Sequence, residues 1–211
     1  MGTGWPSGNA TGKELIEDAR FLLDELRLDP RTSSTSIVGH SEGTLIAGAL
    51  AASGAPLAGV ALLGAVDNFE RVVGHQLKEQ GVSFQDFKQQ LNDPDNTLYE
   101  RSGKDATWYK WWLENPDNQL ATPASVKNLN SAPVILLCGE QDQATPVDDQ
   151  SRNLHQRLQA AGIKSDLLTY PGLGHVFSPP GSQGQATYGP LDPSVVNDLT
   201  DWARDNLLKG K

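Results

Sequence analysis

The stretch Ser36-Ile37-Val38-Gly39-His40-Ser41-Glu42-Gly43-Thr44-Leu45 constrains this chain most. A short β-branched run meets Gly-x-Ser-x-Gly and continues into an Ala- and Leu-rich segment. A strand that reverses into a helix within about one residue forces the residue at the bend into a strained backbone region and thrusts its side chain out above the sheet edge. Glycine lacks Cβ and lets strand and helix approach closely around such a bend; Gly39 and Gly43 occupy those places. The first amides of the new helix have no intrahelical acceptor and carry the positive end of its dipole. Ser41 therefore reads as a nucleophile beside an anion site, with the backbone amide of Glu42 as one oxyanion donor. The Glu42 side chain reads equally well as an ordinary first-turn helix acid.

Two downstream residues complete a pattern. Pro133-Val134-Ile135-Leu136-Leu137-Cys138-Gly139 is a continuous apolar run of strand length, as expected for a strand covered on both faces. Asp142 follows it closely and is placed to orient a histidine; the plainer reading is a turn or capping Asp. Asp67, just past the earlier apolar run Val60-Ala61-Leu62-Leu63, is a rival for the same role. Of the four histidines, His75 and His155 sit in polar helical stretches, and His40 is the variable residue of the bend, expected to pack beside it. His175 stands in a loop, Pro171-Gly172-Leu173-Gly174-His175, whose glycines free the imidazole to swing over the serine. The chain order Ser, Asp, His distinguishes this arrangement from two other serine-hydrolase orders. In it Ser41 attacks an acyl carbonyl, His175 shuttles the proton, and Asp142 fixes the imidazole tautomer and its charged form.

On these residues the chain from about Thr11 to Leu208 resembles the carboxyl-terminal part of an α/β-hydrolase of the bacterial esterase and serine-aminopeptidase-like group. The resemblance rests on Ile37-Val38-Gly39-His40-Ser41-Glu42-Gly43, on the Gly-x-x-Asp-x-x-x-Pro pattern at Gly139, Asp142 and Pro146, and on Gly174-His175. It implies hydrolysis of a small-molecule ester through an acyl-enzyme, with no metal and no organic cofactor. Peptidase, amidase, thioesterase and lactonase chemistry use the same residues. A degenerate, non-catalytic binding or scaffold protein is the alternative from another class.

Elsewhere the pattern alternates. Thr11 and Glu14 form a capping box, after which Leu15, Ala19, Leu22, Leu23 and Leu26 mark one apolar helical face. Helices are expected from Glu42 to about Ala52 and from Val147 to Ala161, and Asp192-Pro193 opens a last one. Such alternation predicts an α/β fold with about four parallel strands flanked by helices. Residues 1–66 and 132–211 read as the hydrolase core. Residues 67–131, polar and rich in Gln, Asn and Asp, read as a helical cap insertion, within which Trp108, Trp111 and Trp112 are expected to line an acyl or alcohol pocket. The plainer reading of each Trp is packing against the sheet. The loop from Ser178 to Pro190 shapes the pocket mouth or merely connects.

The net charge of −9 disfavours nucleic acid and anionic membranes as partners. No apolar run approaches the length of a membrane span, and Met1-Gly2-Thr3-Gly4-Trp5 carries no signal-peptide pattern, so a cytoplasmic location is expected. The lone cysteine, Cys138, lies inside an apolar run and reads as core. Only 40 residues precede Ser41. The loop that would carry the family's second oxyanion donor has no counterpart in them, and the strand leading to Ser41 should lie at an open edge of the sheet. Such an edge must be covered. A homodimer formed through this edge or through the cap is the expectation; a fold-back of the loop from Gly2 to Gly8, and a weakly active piece of a longer protein, are the other outcomes.

Overall fold

The four apolar runs pair in chain order into one parallel sheet: β1 (Ile37–His40), β2 (Val60–Leu63), β3 (Val134–Gly139) and β4 (Ser165–Tyr170). The computed structural model describes residues 11–93, 106–116, 128–129, 132–178 and 189–208. Every residue of β2 and β3 is buried, which explains why these runs do not alternate: both faces of the inner strands are covered. The register sets Ile37 beside Val60, Val60 beside Val134, and Val134 beside Ser165, so the strands end nearly level. The loops that follow their carboxyl ends therefore gather at one end of the sheet.

Seven α-helices surround the sheet among the described residues. They are α1 (Gly12–Leu28), α2 (Glu42–Ala52), α3 (Phe69–Glu79), α4 (Phe84–Gln90), α5 (Ala106–Glu114), α6 (Asn153–Ala160) and α7 (Pro193–Leu207). One face of the sheet packs Val60, Leu62, Val134 and Leu136 against Ala47 and Ala51 of α2 and Leu154 and Leu158 of α6. The opposite face packs Ala61, Leu63, Ile135 and Leu137 against Val195 and Trp202 of α7. This is the α/β architecture expected from the sequence. A third cluster joins α2 to the segment between β2 and β3 through Leu45, Phe69, Val73, Phe87, Trp108 and Trp112. Cys138 is fully buried, and burial raises its thiol pKa to about 11, as suits a core residue.

The caps form where the sequence places them. Thr11 and Glu14 exchange side-chain and backbone hydrogen bonds at the start of α1, and Asp192 accepts from the Ser194 amide with Pro193 in the first turn of α7. Two expectations change. The apolar face of α1 is only partly covered: Leu23 is buried, but Leu22 and Leu26 are 61% and 58% exposed, alongside Phe21 and Leu28. The helix expected from Val147 opens instead as a π-helical turn, Asp148–Arg152, before α6 begins. The turn buries Gln150, whose Oε1 accepts from the backbone amides of Asp67 and Asn68. A buried side chain that caps two loop amides outweighs the regular helical pattern here. Among the described residues no helix is long and apolar enough to cross a membrane.

Candidate active site

Ser41 sits between β1 and α2 with φ 54° and ψ −116°, a region that L residues avoid. The ladder holds it there: its amide donates to the Leu63 carbonyl at 2.9 Å, continuing the β1–β2 pairing past the end of the strand. Its own carbonyl accepts from the Thr44 amide and from Thr44 Oγ1, at 2.9 and 2.6 Å. Thr44 Oγ1 in turn accepts from the Val66 amide at 3.0 Å, which ties the first turn of α2 to the loop after β2. The two glycines differ in necessity. A Cβ on Gly39 would stand 2.4 Å from the Gly43 carbonyl oxygen, so strand and helix approach this closely only because position 39 lacks one. A Cβ on Gly43 would meet nothing within 4 Å among the described residues; the close approach expected of both glycines belongs to Gly39 alone.

The loops after β3 and β4 bring the other two residues to Ser41. His175 Nε2 lies 2.8 Å from Ser41 Oγ, and His175 Nδ1 lies 2.8 Å from Asp142 Oδ2. Gly139 lets the two loops touch: a Cβ there would lie 2.3 Å from the Leu173 carbonyl oxygen. The Glu140 and Gln141 amides then donate to the Tyr170 and Leu173 carbonyls, lashing the Asp142 loop to the His175 loop. The Asp142 side chain is wholly buried and fully used. Oδ1 accepts from the Ala144 and Thr145 amides at 2.8 Å each, and Oδ2 accepts from Thr145 Oγ1 at 2.7 Å as well as facing the imidazole. Burial pulls the Asp142 carboxyl pKa upward. The hydrogen bond and charge of His175, with the Thr145 donors, outweigh it and hold the pKa below its ordinary value.

Asp67, the rival acid, is elsewhere: its Oδ1 accepts from Arg157 at 2.7 Å, and it does not meet His175. Burial raises its pKa against the pull of Arg157 and Arg71. His40 packs beside the bend, its ring 5.0 Å from that of His175 and its Nε2 2.8 Å from the His175 carbonyl oxygen. Desolvation lowers the His40 pKa, against the hydrogen bond to the His175 carbonyl, which raises it.

A cavity of about 250 Å³ opens beside the serine. Ser41, Glu42, Ala144 and Thr145 form its polar end. Its walls come from Leu45, Val66, Phe69, Val72, Val73, Trp108 and Tyr109, with Gln76 a polar residue among them. Of the three tryptophans expected in a pocket, Trp108 alone lines this one, and its Nε1 donates to Glu42 Oε1. Trp112, fully buried, and Trp111 do not line it. They pack on each other and on the start of α1, where a Cβ on Gly12 would collide with Trp111 Cε3 at 2.3 Å. One turn of α5 separates Trp108 from Trp112, enough to carry the second ring past the cavity and under α1.

Gly64 is a site residue that sequence reading passed over. It adopts φ +57°, and a Cβ there would stand 3.2 Å from His175 Nδ1 and 3.4 Å from Asp142 Oδ2. The signal was present: a glycine closes the apolar run Val60–Leu63, at the carboxyl end of a buried strand. Thr145, three residues past Asp142, is the other. The possible fold-back of the loop from Gly2 to Gly8, and the stretch 179–188 of the loop from Ser178 to Pro190, lie outside the described residues.

The prolyl oligopeptidase family matches this chain over residues 7–191. Among solved structures, a lipase in open form is similar at 18% identity and TM-score 0.64, over 92% of this chain and 72% of that one. Est1E from Butyrivibrio proteoclasticus is similar at 16% identity and TM-score 0.65, over 95% and 72%. Alpha/beta hydrolase domain-containing protein 10 from mouse is similar at 18% identity and TM-score 0.60, over 94% and 71%. At these identities the likeness is one of fold, the α/β-hydrolase fold. No match was found among curated proteins.

Proposed function

This chain belongs to the prolyl oligopeptidase family, a family of hydrolases, and from that membership and the site geometry we propose that it is a serine hydrolase cleaving small or short-chain acyl esters through an acyl-enzyme on Ser41. The observation that carries this reading is the continuous chain of contacts Ser41 Oγ to His175 Nε2, and His175 Nδ1 to Asp142 Oδ2, each 2.8 Å. Ser41 Oγ bonds to the acyl carbon while its proton passes to His175 Nε2. The tetrahedral intermediate collapses, the bond to the alcohol oxygen breaks, and His175 returns the proton to the leaving alcohol. Water repeats the sequence and releases the acid. Asp142 holds Nδ1 protonated, so Nε2 presents its lone pair to the serine. The Glu42 amide, in the first turn of α2, is one oxyanion donor.

Cavity size supports a small acyl group, since about 250 Å³ lies below the ~300–1,000 Å³ usual for drug-sized ligands. We assign the segment 67–131 the part of a cap, because Phe69, Val72, Trp108 and Tyr109 wall the cavity over Ser41. We also propose that the chain forms a homodimer through the edge at β1. Among the described residues that strand pairs only with β2, Val38 on it is 61% exposed, and α1 leaves four large apolar side chains in solvent.

A fluorophosphonate probe tests the reading directly. Labelling should fall on Ser41, disappear in Ser41→Ala and His175→Ala, and accompany turnover of p-nitrophenyl acetate and butyrate. A folded wild-type protein that takes no label would turn the conclusion to a binding or scaffold role. Sedimentation velocity tests the dimer, and a monomer throughout the micromolar range would dispose of it.

A further inference from the structure

We propose that a cavity under the amino ends of β1, β2 and β3 is a second ligand site, separate from the one beside Ser41, and that it takes a small organic phosphate. The inference goes beyond the hydrolase reading and does not depend on it.

The parallel sheet fixes where this cavity lies. Thr35, Ala58 and Ala132 each stand two residues before the first residue of β1, β2 and β3, and all three line it. Ser41 follows the last residue of β1, so the two cavities open at opposite ends of the sheet. The volume is about 620 Å³, within the ~300–1,000 Å³ usual for small-molecule sites and well above that of the cavity beside Ser41.

Thr35 is the residue that calls for a ligand. It is only 8% exposed, and its carbonyl accepts from the Ala58 amide at 2.8 Å, yet its hydroxyl has no partner among the described residues. That oxygen is not sealed in the core but keeps a surface of its own, and the space in front of the residue is this cavity. A hydroxyl largely withdrawn from water and left without a partner costs free energy, which a bound acceptor would remove.

The rest of the lining sets the chemistry of that acceptor. Thr32, Ser33 and Ser34 add three hydroxyls, and Arg27 adds a guanidinium. Arg27 faces Asp24 at 3.7 Å with both side chains about half exposed, a weak pairing that leaves most of its five N–H donors for another group. No Asp or Glu is among the described residues that line the cavity, in a chain where acidic side chains outnumber basic ones by 26 to 17. Four hydroxyls and a planar guanidinium around one space form a set of donors that matches the oxygens of a phosphate. Pro56, Leu57 and Leu129 give the same cavity an apolar wall, against which the carbon-bearing part of the ligand packs.

Isothermal titration of the whole chain with phenyl phosphate and with inorganic phosphate tests the site. The pH is set above the second phosphate pKa of about 6, and sodium chloride holds the ionic strength constant. Phenyl phosphate should bind saturably at one site per chain, and more tightly than inorganic phosphate because of the apolar wall. Thr35→Val and Arg27→Gln should each weaken it by about tenfold or more, the loss of one charge-assisted hydrogen bond. Ser41→Ala should bind as the wild type does. Valine keeps the shape of threonine, and the Thr35 hydroxyl has no partner to lose, so ligand-free Thr35→Val should show a denaturation midpoint no lower than the wild type's. A wild-type chain that binds neither phosphate saturably overturns the proposal, as does binding kept within about twofold in Thr35→Val or Arg27→Gln. Loss of binding in Ser41→Ala would put the phosphate in the other cavity and overturn it too. Inorganic phosphate bound as tightly as phenyl phosphate would overturn the organic part of the assignment. A lowered midpoint for ligand-free Thr35→Val would mean that the protein itself holds the hydroxyl, which removes the premise. None of these outcomes bears on whether Ser41 takes a fluorophosphonate, so this site and the hydrolase reading stand or fall separately.

Discussion

Replacing Asp142 by Asn changes one atom and should disable the site by inverting a proton. Oδ1 accepts two backbone amides, from Ala144 and Thr145, and Oδ2 faces His175 Nδ1. An Asn side chain satisfies the two amides only if its carbonyl oxygen takes the Oδ1 position. Its NH2 group then points at Nδ1 and donates to it. The ring proton moves to Nε2, which now donates to Ser41 Oγ and cannot accept its proton. In a comparable triad this exchange costs about 10⁴ in turnover, or roughly 5 kcal/mol. The side chain can escape by flipping its amide, but the flip leaves two buried N–H groups facing an NH2 group, at about 1–3 kcal/mol each. The least of these costs, about 2 kcal/mol, still holds the competent orientation to a few per cent. The expected loss therefore lies between ~30-fold and ~10⁴-fold. Pseudo-first-order labelling by a fluorophosphonate and turnover of p-nitrophenyl acetate measure it, with circular dichroism to show that the variant is folded. Asp67→Asn serves as the comparison, since Asp67 meets Arg157 and not the imidazole, and its labelling should stay within about twofold of wild type. A folded Asp142→Asn protein that labels within threefold of wild type would falsify the tautomer reasoning.

Three further perturbations probe the same frame. Gly64→Ala should lower turnover by about ten- to a hundredfold and cost about 1–2 kcal/mol in stability by chemical denaturation, because the new Cβ crowds His175 from a backbone at φ +57°; unchanged kinetics would mean the ring has room to give. Ser41→Gly should be more stable than Ser41→Ala by about 1 kcal/mol, since glycine relaxes at φ 54° and ψ −116° where alanine cannot; equal denaturation midpoints would show that the bend holds no strain. Burial lowers the His40 pKa from 6.5, so the unfolded chain takes up the proton first as pH falls. That contribution is complete above about pH 6.5 and is lost as pH drops through the window below it. His40→Gln should accordingly flatten the fall in thermal midpoint between pH 7 and pH 5, and an identical slope in the two proteins would exclude His40 as its source.

Much of the site was legible because each residue came with a backbone requirement. The bend at Ser41 needs a glycine at 39, a clash any side chain would make, and the sequence supplies it. The loops carrying Asp142 and His175 meet over Gly139, which closes an apolar run and so marks a strand end. The rest depended on what each turn of a helix meets in the fold, which spacing alone constrains loosely. Trp108, Trp111 and Trp112 lie within two turns of α5, yet only Trp108 reaches the cavity, because Gly12 of α1 offers a better seat to the other two. That contact spans about a hundred residues of sequence, and no local pattern announces it. The π-helical turn at Asp148–Arg152 escaped notice for the same reason: Gln150 is drawn inward by two amides of the loop after β2, far off in the chain.

The face of α1 shows where periodicity stops informing. Leu15, Ala19, Leu22, Leu23 and Leu26 state which side chains favour burial, but a hydrophobic pattern does not name the surface that buries them. Here Leu15 and Ile16 pack on the cluster that holds Leu45 of α2 and Trp108 and Trp112 of α5, and Leu23 is buried, while Phe21, Leu22, Leu26 and Leu28 remain in solvent. An exposed apolar helix face and a strand edge that pairs with nothing further among the described residues are unfavourable together, since each invites association. At about 25 cal/mol per Å², even partial burial of four such side chains against a second copy stabilises a pair by several kcal/mol before the cost of association. The strand edge at β1 carries Ser41 at its end, so a partner seated there would bear directly on the backbone that holds the proposed nucleophile. Activity that rises with protein concentration, in step with dimer formed, is the consequence to look for; specific activity constant across the monomer–dimer transition would separate the two surfaces for good.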